Sequence, residues 1–454
     1  MTTAVVVFTR DLRVHDHPAL TAACRAADLV VPLFVLDDGI LSRRFAAPNR
    51  VHHLVEALHD LRSGFEARGG TLVVRRGEVV DEVKAVCEEV RADALHLTAD
   101  VSRYARRRQD RLERLAAALG VAIQTHPGVT VHPAGAIAPS GADHFRVFTP
   151  YWRRWVGATR RAPLPAPDRV VVPERLAPGR IPPWDELVDG EVAPGLPRGG
   201  ETAARERLAA FLDEAIAGYE DGRDDLAAED GTSRLSSHLH LGTVSPTELA
   251  ARLDLRRRGH EAFLRQLCWR DFNHQLLAAN PDLAETDLRP QGDRWRDEED
   301  AIAAWREGRT GYPIVDAGMR QLVREGWMHN RARMLVASFL TKHLRVDWRV
   351  GAWHFMDLLV DGDLANNFAQ WQWAAGTGTD TRPNRMFNPV TQGQRYDPDG
   401  TYVRRYVPEL AHVDRQDVHS PWQAEGTLLG ADGYPPPIVD HREARERFLR
   451  ARRD

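Results

Sequence analysis

Between Gly326 and Trp373 the chain brings together the indoles of Trp327, Trp371 and Trp373, the neighbouring carboxylates of Asp361 and Asp363 and the amides of Asn330 and Asn367. A hydrophobic core needs few such polar groups. A large flat heteroaromatic ligand with a hydrogen-bonding edge uses all of them. Asp361 and Asp363 flank Gly362, and two carboxylates so close are costly to bury unless each is partnered. Upstream, Gly231-Thr232-Ser233-Arg234-Leu235-Ser236 places small hydroxyl residues at an expected helix start, where phosphate can bind. Read alone, the same string serves equally as an ordinary N-cap.

Further along, Gln266 and Arg270 lie four apart on one helical face with Trp269 beside them. An amphipathic helix with a buried tryptophan explains that much. Trp327, Asn330 and Met334 are expected on one helical stripe, and Asn330 interrupts what a core stripe would keep apolar. Nine of the 12 tryptophans lie beyond residue 260. Packing accounts for most of them, although neighbouring indoles can also pass an electron stepwise. Arg382, Arg385, Arg395, Arg404 and Arg405 form a late basic cluster, by default a solvated face. With Asn330 and Arg331 at a pocket rim, part of it reads as phosphate-positioning, Arg385 foremost.

These residues need a scaffold. The 454-residue chain is 43% hydrophobic with a formal net charge of −4, so it is globular, and nucleic acid could be met only by a local patch. Cys24, Cys87 and Cys268 are too scattered for a zinc or iron–sulfur site, and no metal is expected. The three scattered cysteines point to a reducing cytoplasm; no apolar run approaches a membrane span, and the N-terminus reads as a first strand rather than a signal peptide. Val5–Phe8, Leu29–Leu36, Thr71–Val74, Ala94–Leu97 and Val121–Gln124 are short apolar runs. They alternate with helical patterns at Arg50–Arg68, Glu78–Val90 and Tyr104–Leu119. The fold class expected is α/β: a doubly wound, Rossmann-like parallel sheet over 1–130. The first strand is not followed by GxGxxG, so a dinucleotide at that turn is not expected. Residues 131–200 read as the interdomain linker, with nine of the 28 prolines in 161–200. Residues 201–454 read as an all-helical domain ending at Arg442–Arg450.

Together these motifs resemble the DNA photolyase and cryptochrome family over nearly the whole chain, most closely its class I cyclobutane pyrimidine dimer photolyases. The resemblance implies reduced FAD (FADH−) as cofactor, damaged DNA as partner, and a monomer. On that likeness Tyr219, Thr232, Ser233, Arg234, Leu235 and Ser236 hold the flavin pyrophosphate. Phe263, Arg270, Trp327, Gly362, Asp363 and Asn367 line the flavin, and Arg333 pairs with Asp361 beside its ring. Arg223, Gln266, Trp269, Arg270, Asn330, Arg331, Met334, Trp373 and Arg385 meet the DNA, with Trp269 and Trp373 flanking the extruded dimer as a stacking clamp. Trp371, Trp348 and Trp295 match the family's electron-hopping triad. The chain departs from the pattern at Gln266, usually glutamate, and at Phe263, often tryptophan.

Two positions separate functions within the family. Photolyases acting on (6-4) lesions carry histidine where Asn330 stands. Plant and animal cryptochromes usually carry aspartate or cysteine where Asn367 stands. A carboxylate about 4 Å from an anionic flavin would add several kcal/mol of repulsion at an effective dielectric near 20. The expected activity is therefore light-driven repair of cyclobutane dimers, with a cryptochrome-type blue-light receptor as the alternative. A second, antenna chromophore is expected at the strand ends near Arg10, Asp37 and Asp100. Arg103 replaces the carboxylate of folate-binding members, so an 8-hydroxy-deazaflavin is favoured over folate.

Overall fold

The computed structural model describes residues 1–423 and 433–452. Five parallel strands form one sheet in the order β3-β2-β1-β4-β5. They are β1 (Thr3–Phe8), β2 (Leu29–Asp37), β3 (Val73–Gly77), β4 (Ala94–Thr98) and β5 (Ala122–His126). β1 is central: Val5 faces Val31 on one side and Leu95 on the other. Helices cover both faces, so β1 is buried along its length and its sequence runs apolar without alternation. The chain reverses direction across the sheet between β1 and β4, opening a crevice at their carboxyl ends.

β3 is displaced from the Thr71–Val74 run expected. It pairs with β2 from Leu33–Val73 to Asp37–Gly77, so the long β2 carries it on through Arg75 and Arg76. An edge strand tolerates such charge, and apolarity alone misplaces its bounds.

The stretch 131–200 holds one α-helix, Phe148–Gly157, whose Tyr151, Trp152 and Trp155 are buried in the core of the helical part. Its remainder is mostly irregular and tied to the sheet domain. The Val30 N–H donates to the Val171 carbonyl and the Val74 N–H to the Pro178 carbonyl, both at 2.8 Å. Gly179 has φ +70, and a Cβ there would lie 2.0 Å from the Val74 oxygen, so only glycine fits.

From Glu201 the chain is helical. Helix Arg258–Ala279 runs through the middle, packed by Phe148–Gly157 and Leu364–Ala375. The two parts dock through named side chains. Arg50 donates to the Leu359 carbonyl at 2.7 Å, and Arg44 pairs with Asp357 at 2.6 Å.

Candidate functional site

The turn Asp361-Gly362-Asp363 enters helix Leu364–Ala375, and its two carboxylates go to different cations. Arg333, on helix Asn330–Ser338, grips Asp361 with two parallel bonds of 3.1 and 2.8 Å. This bidentate fork is the strong form of the contact. Asp363 accepts from the Asn366 N–H at 2.8 Å as the helix N-cap. Its other oxygen pairs with Arg10, from the turn after β1. The second carboxylate, expected to meet the ligand, is thus committed to the sheet domain. Gly362 between them is covered by Arg50, whose Nη1 would lie 2.6 Å from an added Cβ.

Burial pushes the Asp363 carboxyl up, but Arg10 foremost, then His274, His240 and Arg270, hold it well below the usual carboxylate range. Burial drives His240 and His274 down to about 4, so both rings are neutral near pH 7. Asn367, one turn on from Asp363, is 8% exposed and donates its amide to the Ala352 carbonyl at 2.9 Å. A carboxylate there could not make that bond.

The 231–236 loop leads into helix Ser236–Leu241. Arg207, on helix Glu201–Ala210, donates to the Ser233 carbonyl at 2.9 Å and the Thr232 carbonyl at 3.0 Å. Arg234 takes a left-handed φ of +51, bonds Glu325 at 3.0 Å and lies 4.4 Å over the Trp327 ring. Trp327 donates to the Ser236 hydroxyl at 3.2 Å, joining this loop to the Arg333 side of the site. Leu235 is fully buried in the core, so only its backbone can face a ligand. Tyr219, Phe263 and Phe211 form an aromatic wall, with Phe263 5.3 Å from Tyr219 and 4.7 Å from Phe211.

At the rim, Asn330 is exposed and its amide lies 3.9 Å from the Met334 sulfur. Trp327 is not on their helical stripe, because His329 caps the helix by accepting from the Arg331 N–H and the helix begins at Asn330. Arg331 pairs with Asp224 at 2.7 Å and lies over Tyr396 at 4.4 Å. Arg385 is exposed over Trp373, 5.2 Å from the ring centre. Arg223 is half-buried at the end of the short helix Tyr219–Gly222. Of the late basic cluster, Arg404 donates to the Val413 carbonyl, and Arg405 donates to the Ala227 carbonyl and pairs with Glu229.

On helix Arg258–Ala279, Gln266 is half-buried, its amide 3.4 Å from the Ala262 carbonyl of its own helix. Trp269 stacks one face on Phe148 at 3.7 Å. Arg270 does not reach a substrate surface: it is buried and donates to the Val129 and Leu239 carbonyls.

The three tryptophans expected to form a triad differ in exposure. Trp371 is 3% exposed and packs on Gly351, where an added Cβ would lie 2.2 Å from its ring. Gly351 is one turn along from the fully buried Trp348, whose indole donates to Asp287 at 2.9 Å. Trp295 is half-buried on a loop tied down by the Arg296 N–H donating to the Arg345 carbonyl at 2.8 Å. A fourth indole, Trp305, meets Trp371 edge-on at 6.1 Å.

The antenna candidates separate. Arg10 bridges Asp100, at 3.3 Å, and Asp363. Asp37 caps the short helix Asp38–Leu41 and accepts from the Tyr104 hydroxyl. Arg103 is exposed and paired with Asp282. A cavity of about 440 Å³ opens beside Asp100, between the sheet's carboxyl edge and helix Arg258–Ala279, lined also by Arg106, Gln109, His274 and Gln275.

Sequence reading missed Arg207, Arg50, Phe148 and Tyr396. Arg207 and Arg50 act across long sequence separations and leave no local signal. Phe148 lies in the stretch read as linker. Tyr396 stood beside Arg395 in the basic cluster, where an aromatic between guanidiniums was the available clue.

Two family descriptions match the chain: "DNA photolyase" over residues 4–168 and "FAD binding domain of DNA photolyase" over residues 263–454. The chain is 54% identical to a Streptomyces griseus protein named deoxyribodipyrimidine photo-lyase, over 100% of this chain and 99% of that one. Among solved structures it is similar to a class III photolyase from Agrobacterium tumefaciens, with TM-score 0.93, 36% identity, and 99% and 97% of the two chains covered. It is also similar to a Synechocystis cryptochrome, with TM-score 0.92, 27% identity, and 99% of each chain covered.

Proposed function

This chain belongs to the DNA photolyase family, and from that premise we propose that it repairs cyclobutane pyrimidine dimers in DNA under blue light with reduced FAD. The residues fit FAD. The Arg207-braced loop offers the hydroxyls of Thr232, Ser233 and Ser236 for the diphosphate, and Arg333, Asp361 and Asn367 offer a hydrogen-bonding edge for the ring. When bound, reduced and excited by light, FAD supplies the electron that opens the cyclobutane ring, and the electron returns afterwards.

The chain's own groups hold the two partners in place. Arg333 and Asp361 neutralise each other, so the ring meets a dipolar edge and not a bare charge. Asn367 adds no negative charge beside it. Trp269, supported on one face by Phe148, presents an indole to the pocket, and Trp373 with Arg385 presents another. Arg223, Arg331 and Arg385 meet phosphates and position the duplex. Trp371, Trp348 and Trp295 carry an electron inward from the surface.

The observation that carries the substrate reading is Asn330. Its amide stands exposed on the helix that holds Arg333, where (6-4) enzymes carry histidine. Asn330→Ala should weaken repair of cyclobutane dimers and leave flavin binding intact. Unchanged repair would remove Asn330 from the substrate's contacts. The class I assignment belongs to the same proposal, alongside the similarity to a class III photolyase. The second reading, a blue-light receptor, draws on the likeness to a cryptochrome, and Asn367 weighs against it.

The proposal includes an antenna chromophore in the cavity beside Asp100, an 8-hydroxy-deazaflavin before folate, since Arg103 is held by Asp282 in place of a folate-binding carboxylate. No described helix is long and apolar enough to cross a membrane. The proposal places the protein in the cytoplasm as a monomer.

A further inference from the structure

The chain has two lysines, Lys84 and Lys342. Lys342 is 2% exposed. It lies in the π-helical turn Phe339–His343 that prolongs helix Asn330–Ser338. Its ammonium donates to the Pro383 carbonyl at 2.9 Å and to the Arg385 carbonyl at 2.7 Å. A buried ammonium whose hydrogen bonds go to carbonyls is costly, and methionine would fill the space without that cost. The charge is explained by what it holds.

What it holds is the turn that carries Arg385. The Arg385 N–H donates to the Arg382 carbonyl at 2.9 Å, and the Arg382 N–H to Asp380 at the same distance. On its other side the turn presses on Gly376, the φ +87 residue that ends helix Leu364–Ala375. A Cβ there would lie 2.6 Å from the Pro383 oxygen. The turn is therefore clamped between Lys342 and the end of the helix bearing Trp373, and Arg385 lies over Trp373 at 5.2 Å and Phe387 at 5.1 Å. The C-terminal helix His441–Ala451 supports Lys342 from behind. Phe448 is 5.7 Å from the ammonium, and His441 bonds the neighbouring His343 at 2.9 Å.

We infer that Lys342 is a positioning residue for DNA: through the Pro383 and Arg385 carbonyls it fixes the Arg385 guanidinium over Trp373 at the pocket mouth. The inference rests on the proposed reading of Arg385 and Trp373 as substrate contacts. It makes DNA affinity depend on pH. Burial pushes Lys342 down to about 7, opposed by Asp380 and Asp293 and reinforced by Arg452 and Arg385. As pH rises through that value the ammonium becomes an amine with two weaker donors, and the turn loosens.

The test measures the Kd of flavin-loaded protein for a dimer-containing duplex between about pH 6 and about pH 8.5, where such a lysine titrates and an ordinary one does not. Flavin absorbance checks loading. Arg385→Ala should bind about tenfold more weakly, the weight of one charge-assisted hydrogen bond, and with little pH dependence. Wild type should weaken by a comparable factor as pH rises. Lys342→Met should match Arg385→Ala at every pH, and the double variant should be no weaker than either single one. Additive losses in the double variant, or wild-type affinity flat in pH, overturn the inference. If Lys342→Met does not fold, the two remaining proteins decide: an equal pH slope in wild type and Arg385→Ala overturns it. Wild-type affinity in Arg385→Ala would instead overturn the substrate reading of Arg385, and this inference with it.

Discussion

Arg10 and Asp363 are 353 residues apart in the chain and paired side chain to side chain. Arg10 stands on the turn after β1, and Asp363 caps the helix that carries Asn367 and Trp371. The same guanidinium reaches Asp100 at the sheet's crevice. One cation therefore fixes the Asp361–Asp363 segment to the sheet domain, while Arg333 fixes Asp361 from within the helical part.

Removing that cation should be expensive. Arg10→Met leaves Asp363 buried without its partner, a loss of roughly 3–5 kcal/mol. It should appear as a lower urea midpoint near pH 7 with an unchanged slope. Adding Asp363→Asn should recover part of the loss. The pH dependence follows from the depressed carboxyl. Its folded pKa lies below its unfolded one, so the pair's contribution is complete above the ordinary carboxylate range and fades as pH falls toward the folded value. Arg10→Met should flatten this acid loss. An unchanged midpoint would mean the pair carries no stability.

Trp371→Phe keeps an aromatic ring against Phe355, which lies 5.0 Å away, and removes the oxidisable indole. Light-driven reduction of the oxidised flavin should stop. Repair by chemically pre-reduced protein should continue near the wild-type rate. Flavin bleaching that proceeds as in wild type would show that electrons enter by another route.

Among the described residues Gln266 makes only a long amide contact to its own helix, which leaves its side chain free to turn to a substrate. An amide can donate to a pyrimidine carbonyl, whereas ionised glutamate only accepts. Its loss of charge favours electron-rich neighbours, and its loss of a proton removes a means of stabilising them. Gln266→Glu should keep the same substrate and flavin binding and raise repair per absorbed photon, measured on fully reduced protein with saturating DNA. Repair by Gln266→Glu together with none by wild type would make the natural protein a photoreceptor.

Much of this was legible in the chain because it follows from local physics. The sheet's apolar runs and the helices between them announce a doubly wound fold. The cost of burying two close carboxylates announces that each needs a partner, while Arg333 could be named for Asp361 only through the family likeness. The partner of Asp363 was not legible, since nothing local links it to Arg10. Arg270 shares a helix face with Gln266 by spacing, yet docking of the two parts turns it to the Val129 and Leu239 carbonyls. Trp327 falls off its expected stripe because a histidine cap starts the helix later than periodicity suggests. Tertiary contacts between distant segments decided the first two, and a local cap the third.

The central claim is light-driven repair of cyclobutane dimers, and one measurement tests it most directly. Fully reduced, flavin-loaded protein is mixed with DNA carrying either a single cyclobutane dimer or a single (6-4) product. Each mixture is illuminated with blue light or kept dark, and the lesion and restored bases are separated chromatographically. The account predicts restored pyrimidines from the cyclobutane dimer in the light alone, with the (6-4) product unchanged. Intact dimers after illumination, or repair of the (6-4) product instead, would contradict it.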